Sequence, residues 1–346
     1  MRRKDPKYAL YCKRRLRKLE RAKKMKNGVR SNHSGSLNVN RFNYDMAPKV
    51  YISNIPECFS IVTNPNETIH YFNLLINRIL RDPSIKRIYF EFRKVKEMTV
   101  DALMYLLAIL KFLQCKVWEF SGDVPIQNEP KELLLQSGFL KRITRHRISV
   151  QPNGKFYMSM GNSADGIETK KVCEFLYEHS DAQRQTTNFI YDMLMELEVN
   201  TADHAYKTNS NSLFHDNWLL VVEDNVDRFS FTFLDVGVGI CKTIYKRWHE
   251  RLNLGKTQYD YLLSAFDGKL LRSETKERHR GRGLPKIKKY ATENRIINLT
   301  VITNKAICSS SDKCILEGQR IDESLAGAIY YWEVTKSSIR YEKEAS

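Results

Sequence analysis

The feature of this sequence that most constrains its fold is a long helical pattern that begins near Gln183 and ends near Tyr206. Apolar side chains recur along it at near-helical spacing, at Phe189, Met193, Leu197 and Ala205. Glu196 and Asn200 lie four residues apart within it, so both project from one face, one turn apart. A carboxylate and a carboxamide placed in this way can hold a water molecule and a divalent cation. An ordinary pair of polar surface residues has the same spacing, so this pair alone decides nothing.

Two stretches that contain glycine follow this pattern. The first is the β-rich run 231–240, FTFLDVGVGI, in which Asp235 precedes Gly237 and Gly239. The second is the run 280–287, RGRGLPKI, which opens a new helical pattern. A strand that ends in a turn explains the glycines of the first run. It does not explain an aspartate at that position together with Glu196 and Asn200 upstream.

In this order, the three stretches resemble the N box, G1 box and G2 box of the GHKL (Bergerat-fold) ATPases. That superfamily includes DNA gyrase, MutL proteins, heat-shock chaperones, histidine kinases and anti-sigma-factor kinases. The resemblance covers roughly residues 171–336. It implies an α+β two-layer sandwich at residues 165–340 that binds ATP and Mg²⁺.

The resemblance also implies a role for each matching residue. Glu196 matches the general base that orients and deprotonates water, and Asn200 matches the Mg²⁺ ligand. Asp235 matches the carboxylate that accepts a hydrogen bond from the exocyclic amine of adenine. Gly237 and Gly239 match positions where the backbone comes close to the nucleotide.

The resemblance assigns the triphosphate to the G2 run and to a lid between residues 241 and 279. The matching positions of the G2 run are Arg280, Gly281, Arg282, Gly283 and Leu284. Their backbone amides and positive charges would face phosphate oxygens at a helix N-terminus. Two positions depart from the family pattern: Pro285 stands where a small residue is common, and Ala328 replaces a threonine near adenine. Glu198 points to another face of its helix and is expected to be a solvated charge.

The N-terminal half alternates between strand and helix patterns. Strands are predicted at 50–52, 85–92 and 116–120, and helices at 69–80, 99–113 and 130–137. This rhythm predicts a small α/β layer, placed at residues 47–150. Over about residues 47–145 it is similar to a STAS domain, the fold of anti-sigma-factor antagonists. Asp101 stands at the antagonists' phosphoacceptor serine, so phosphorylation there is not expected; its charge either complements the helix dipole or mimics a phosphate.

The positive charge is concentrated at the N-terminus. Of the net charge of +17, residues 1–30 carry fourteen Lys and Arg against Asp5 and Glu20, a net of 14 − 2 = +12. The sequence predicts a basic helix here and a polar linker up to residue 46. This arm either binds nucleic acid through its phosphates, contacts an anionic membrane, or is a solvated tail.

Cysteine usage and hydropathy indicate the compartment. The seven cysteines are scattered without a C-x-x-C pair, which favours reduced thiols in a cytosol, and a bacterial setting is expected. The N-terminus lacks the apolar core of a signal peptide. The longest apolar run, 102–113, is shorter than the roughly 20 residues that span a bilayer. We therefore expect a cytoplasmic protein without a transmembrane segment.

The function expected from these features is Mg²⁺-dependent ATP hydrolysis that drives a conformational switch. That switch would regulate an unidentified protein partner or a nucleic-acid-linked process, and a homodimer is compatible with the sequence. Two alternatives stay open. One is a serine/threonine protein kinase of the anti-sigma type. The other is a non-catalytic nucleotide sensor that binds nucleic acid through residues 1–30.

Overall fold

The computed structural model describes residues 49–143, 154–164, 166–205, 218–243, 257–268, 283–310 and 316–340. The predicted basic arm and linker, residues 1–46, lie outside the described residues, and so does the prediction that the arm binds nucleic acid. Within the described ranges, no helix combines the length and the apolar character needed to cross a bilayer.

Ten strands and eight helices organise the described chain. The strands are β1 (Lys49–Asn54), β2 (Cys58–Phe59), β3 (Ile85–Glu91), β4 (Glu97–Met98), β5 (Glu119–Gly122), β6 (Phe156–Gly161), β7 (Trp218–Asp224), β8 (Arg228–Asp235), β9 (Ile297–Ser310) and β10 (Leu316–Thr335). The helices are α1 (Pro65–Arg81), α2 (Val100–Leu113), α3 (Asn128–Gln136), α4 (Phe139–Ile143), α5 (Ile167–Glu178), α6 (Arg184–Ala205), α7 (Gln258–Phe266) and α8 (Gly283–Thr292). The chain is therefore a mixed α/β protein with several sheets.

The N-terminal layer contains a parallel sheet in the order β1-β3-β5 and a two-stranded pair, β2 with β4. Parallel neighbours need a crossover, and α1 and α2 provide it. Almost every residue of α2 is buried, including Asp101 near its start. A helix that is apolar all round belongs inside a core, and α2 lies between this layer and the sheet that follows.

The second sheet has five antiparallel strands in the order β6-β7-β8-β10-β9. Alternate side chains of its strands face opposite sides, as the two-residue period of a strand requires. In β8, Phe229, Phe231 and Phe233 face a core shared with α5, α6, α7 and α8. Leu234 faces the other way, into the core shared with α1 and α2. Both faces of the central sheet are therefore covered.

Polar contacts join the N-terminal layer to β10. The side chains of His70 and Asn73, on α1, contact the Glu323 carboxylate at 2.7 and 2.9 Å. The Tyr105 hydroxyl, on α2, lies 3.3 Å from the backbone oxygen and 3.2 Å from the backbone nitrogen of Ala326. β10 thus contacts both α1 and α2.

Three predicted elements differ from the structure. The strand predicted at 116–120 is observed as Glu119–Gly122. The polar run 308–312, CSSSD, predicts a loop, but this prediction is wrong for its first part, because β9 continues to Ser310 through pairing with β10. Residues 264–266, predicted to be part of a polar lid, end helix α7, and Phe266 packs into the core. In each case long-range pairing or packing overrides the local pattern. The sheet also includes β6, which precedes residue 165, the predicted start of the C-terminal domain.

Candidate nucleotide site

Helix α6 presents a polar stripe toward α8. Its apolar side, which includes Met193 and Leu197, is buried against the sheet. The stripe consists of Asp192, Glu196 and Asn200, at spacings of four residues. Helical spacing alone sets this arrangement, so the two predicted residues, Glu196 and Asn200, share one face of the helix as expected.

Lys286 of α8 faces the same stripe. Its Nζ lies 3.0 Å from Oδ2 of Asp192 and 3.9 Å from Oε1 of Glu196. Partial burial disfavours the charged ammonium, but the hydrogen bond to Asp192 and the nearby Glu196 charge outweigh it and raise the pKa of Lys286 above its usual value. A fixed positive charge therefore lies beside the carboxylate predicted to be the base.

The first residue of α8 packs directly on the predicted pair. A Cβ built on Gly283 would lie 3.0 Å from Nδ2 of Asn200 and 3.1 Å from Oε2 of Glu196. Both distances are tighter than ordinary van der Waals contact. The next residue, Leu284, is buried in the core that the helices share with the sheet, and this anchors the start of α8. The structure thus brings the predicted N-box pair and the described part of the predicted G2 run together.

Asp235 is the last residue of β8 and lies on the same face of the sheet as these helices. Phe231 and Phe233 face the helices, and the two-residue period carries that direction on to Asp235. The residue is partly buried, and burial raises the pKa of its carboxyl to about 7, although a hydrogen bond from the Gly237 backbone acts in the opposite direction. Burial raises the pKa of Tyr330 on β10, and the negative charge of Asp235 adds to this shift.

The backbone around Asp235 is closely packed. Gly327 of β10 has φ +87°, and a Cβ there would collide with the backbone oxygen of Asp235. A Cβ on Gly237 would lie 3.1 Å from the Asp235 Oδ1. The glycine at 327 therefore has a structural reason, which is the close approach of β10 to the end of β8.

Two residues of β9, Thr303 and Asn304, contact the segment after β8 and were not identified from the sequence. Both are fully buried, and their side chains bond to the backbone of residues 238–242. The only local indication is an Asn inside a strand pattern, because Asn tolerates the left-handed conformation, and Asn304 has φ +53°. That indication does not say which backbone the side chain reaches.

The structure corrects the prediction for Glu198. We expected a solvated charge, but only 1% of its surface is exposed, and the Thr169 hydroxyl donates a hydrogen bond of 2.6 Å to Oε1. The helical spacing on α6 places Glu198 outside the polar stripe. It does not show that α5 covers the side of α6 on which Glu198 lies. Glu198 is an internal polar contact between α5 and α6.

Asp101 is also buried, with 3% of its surface exposed, and its Oδ1 accepts a hydrogen bond of 2.6 Å from the backbone nitrogen of Ile61. Burial raises the pKa of this carboxyl, although its hydrogen bonds act in the opposite direction. Asp101 therefore fixes the segment before α1, and its carboxyl is not offered to another protein.

The residues present fit a magnesium–nucleotide ligand in two respects. Asn200 supplies an oxygen donor, and Mg²⁺ bound to phosphates needs only one or two protein ligands. The lack of a side chain on Gly283 lets the start of α8 approach the amide nitrogen of Asn200 and the carboxylate of Glu196 closely. Among the described side chains, no group of three or more His, Cys, Asp and Glu is placed to hold a metal ion.

Not every predicted site residue is described. Glu196, Asn200, Gly283 and Leu284 come together at the α6–α8 contact, whereas Asp235, Gly237 and Gly239 lie at the end of β8. Arg280, Gly281 and Arg282 lie outside the described residues. No family model, curated protein or solved structure matches this chain.

Proposed function

We propose that this protein binds ATP with Mg²⁺ on the helical face of its five-stranded sheet and hydrolyses it. The observation that carries the proposal is the contact of Gly283 with the side chains of Glu196 and Asn200. Two sequence runs separated by some eighty residues converge there on a carboxylate, a carboxamide and a helix N-terminus. A helix N-terminus attracts anions, and the carboxamide oxygen attracts a hard cation.

Each residue has a separate task in this proposal. Asn200 would hold the magnesium ion, which supplies charge neutralisation on the phosphates. Glu196 accepts a proton from the attacking water, and the Lys286 ammonium lies 3.9 Å from its Oε1. At the other end of the site, the Asp235 carboxylate accepts a hydrogen bond from the adenine amine. Guanine has an acceptor at the matching position, so an ionised Asp235 would select adenine.

The assignment of Glu196 is tested by measuring binding and hydrolysis separately. We expect wild-type protein to bind MgATP in a calorimetric titration and to release phosphate. Glu196→Ala should retain binding within a fewfold and lose hydrolysis by at least about a hundredfold, the lower end of the range for general-base removal. Glu174→Ala, which removes an exposed helical carboxylate on α5, should change neither quantity. Robust hydrolysis by Glu196→Ala would refute its role, and failure of the wild-type protein to bind MgATP would refute the proposal as a whole.

The GHKL and STAS assignments belong to this proposal, since they rest on the sequence motifs. The fused N-terminal layer does not favour the kinase alternative, because Asp101 has no hydroxyl and its carboxyl is buried. Incubation with γ-labelled ATP separates the two activities: hydrolysis leaves the label in inorganic phosphate, whereas a kinase leaves it on a protein.

A further inference from the structure

We infer that Thr303 and Asn304 are positioning residues that hold the segment after β8 in its nucleotide-binding conformation before any ligand arrives. We call this segment, residues 236–242, the glycine loop. The inference rests on the proposed function, because it concerns the loop that follows Asp235. It assigns to β9 a role that neither the sequence motifs nor the contacts of α6 and α8 suggest.

The Asn304 side chain bonds to the glycine loop in two places. Its Nδ2 donates to the backbone oxygen of Val238 at 2.9 Å and to that of Leu325 at 3.4 Å. Its Oδ1 accepts from the backbone nitrogen of Lys242 at 3.1 Å. One side chain therefore fixes two points of the loop, four residues apart, and ties them to β10.

The Thr303 hydroxyl links the same loop to the same strand. It accepts a hydrogen bond from the backbone nitrogen of Ile240 at 3.0 Å and donates one to the backbone oxygen of Gly327 at 2.8 Å. Gly327 is also the residue that packs on the Asp235 backbone. Gly327 of β10 therefore contacts both Thr303, which holds the loop, and the backbone of Asp235.

Asn304 also explains why residue 239 has no side chain. Gly239 has φ +88°, and a Cβ there would lie 2.5 Å from Nδ2 and 2.6 Å from Oδ1 of Asn304. The amide is fully buried and bonded at both ends, so it cannot move aside without loss of those bonds. The Asn304 amide therefore requires a glycine at position 239, whether or not a nucleotide also comes close to this residue.

Loss of the Asn304 side chain would release the loop while leaving the other elements of the site in place. The binding-competent loop would then be one of several conformations, and the apparent dissociation constant rises by the inverse of its population. A competent fraction of about one in ten would weaken MgATP binding about tenfold. The value of kcat should change little, since Glu196 lies on another element, so the effect should fall on KM.

A matched pair of variants tests the inference. Asn304→Gly removes the side chain and keeps a residue that tolerates positive φ. Asn298→Gly is the control: Asn298 also lies on β9 with φ +55°, but its amide donates to Glu333, away from the loop. Without ATP, the backbone amides of Ile240 and Lys242 should exchange hydrogen at least tenfold faster in Asn304→Gly than in wild-type protein or in Asn298→Gly. With MgATP, only Asn304→Gly should show an increase of at least tenfold in Kd and KM.

The outcomes separate this inference from the proposed function. If wild-type protein does not bind MgATP, the proposed function and the inference built on it both fail. If wild-type protein binds and Asn304→Gly binds equally well, the positioning role is refuted and the proposed function stands. If Asn304→Gly does not fold, Asn304→Asp replaces it: the carboxylate fits the space but faces the carbonyl oxygens of Val238 and Leu325, and we expect the same increases. An Asn304→Asp protein with wild-type exchange and Kd would overturn the inference.

Discussion

The raised pKa of Asp235 predicts how the stability of the protein depends on pH. Burial raises this pKa from its ordinary value of 3.8 to about 7. Between these two values the folded protein keeps a proton that the unfolded chain has released. The free energy of unfolding therefore contains a contribution that is fully present below pH 3.8 and is lost as the pH rises through 7. Asp235→Asn removes the titrating group and should remove this pH dependence.

The size of the effect follows from the same two values. At about 1.4 kcal/mol per pH unit, the full gap corresponds to about 4 kcal/mol, of which about 2.5 kcal/mol falls between pH 5 and pH 8. Because Asp235 retains some exposure, solvent screens part of this contribution, and we expect about 1 to 2.5 kcal/mol. Relative to wild-type protein, Asp235→Asn should thus be more stable at pH 8 than at pH 5 by this amount.

Urea unfolding monitored by tryptophan fluorescence measures this difference, since Trp218 and Trp332 are buried in the central sheet. The matched control is Asp227→Asn, in the turn before β8. Hydrogen bonding to Arg228 lowers the pKa of Asp227, so its contribution is constant above its unfolded pKa and should not change between pH 5 and pH 8. If the free energies of unfolding of Asp235→Asn and wild-type protein also differ by the same amount at pH 5 and at pH 8, the Asp235 carboxyl is not buried as described.

The same titration tests the proposed contact between Asp235 and adenine. An adenine amine donates to the ionised carboxylate, so binding favours loss of the proton. Wild-type affinity for ATP should therefore rise between pH 6 and pH 8. Asp235→Asn should bind more weakly and lack this rise.

Two further substitutions follow from the contacts of α6. Gly283→Ala should leave the unfolding midpoint nearly unchanged, because the gain in helix propensity of about 0.5–1 kcal/mol offsets the closer contact with Glu196. The same substitution should weaken MgATP binding at least tenfold. Wild-type affinity for MgATP in a calorimetric titration would contradict the proposed nucleotide site. Thr169→Val removes a hydrogen-bond donor to the buried Glu198 and should cost about 1–3 kcal/mol in urea unfolding, whereas Thr292→Val, at the exposed end of α8, should cost less than about 0.5 kcal/mol. Equal costs for these two valine variants would show that the Thr169 hydroxyl contributes nothing.

The sequence predicted the elements whose pattern is strong and local. The apolar spacing of Phe189, Met193 and Leu197 predicted α6 to within a residue or two, and the helix period alone placed Glu196 and Asn200 on one face. The predicted helix at 99–113 matches α2 closely, and the helical pattern that the run 280–287 opens corresponds to α8. The mixed α/β class is confirmed, whereas the Bergerat and STAS folds stay predictions.

What the sequence did not predict depends on partners distant in the chain. Periodicity shows that α2 is apolar all round, but not that it lies between two sheets. Glu198 is polar in any local pattern, and only the packing of α5 on α6 buries it. Asn304 reaches a loop more than sixty residues earlier in the chain, and a single sequence contains no measure of such a contact.

The length of β10 has a mechanical consequence. Within a few residues the strand passes from Glu323, held by α1, to Gly327, packed on the Asp235 backbone. Its pairing with β9 is irregular between Arg320 and Ala328, so this stretch lacks the stiffness of a continuous ladder. A partner that pulled on α1 would load the backbone that packs on Asp235, which is the adenine end of the proposed site. Force on the N-terminal layer and a ligand bound at Asp235 would then act on the same short run of backbone.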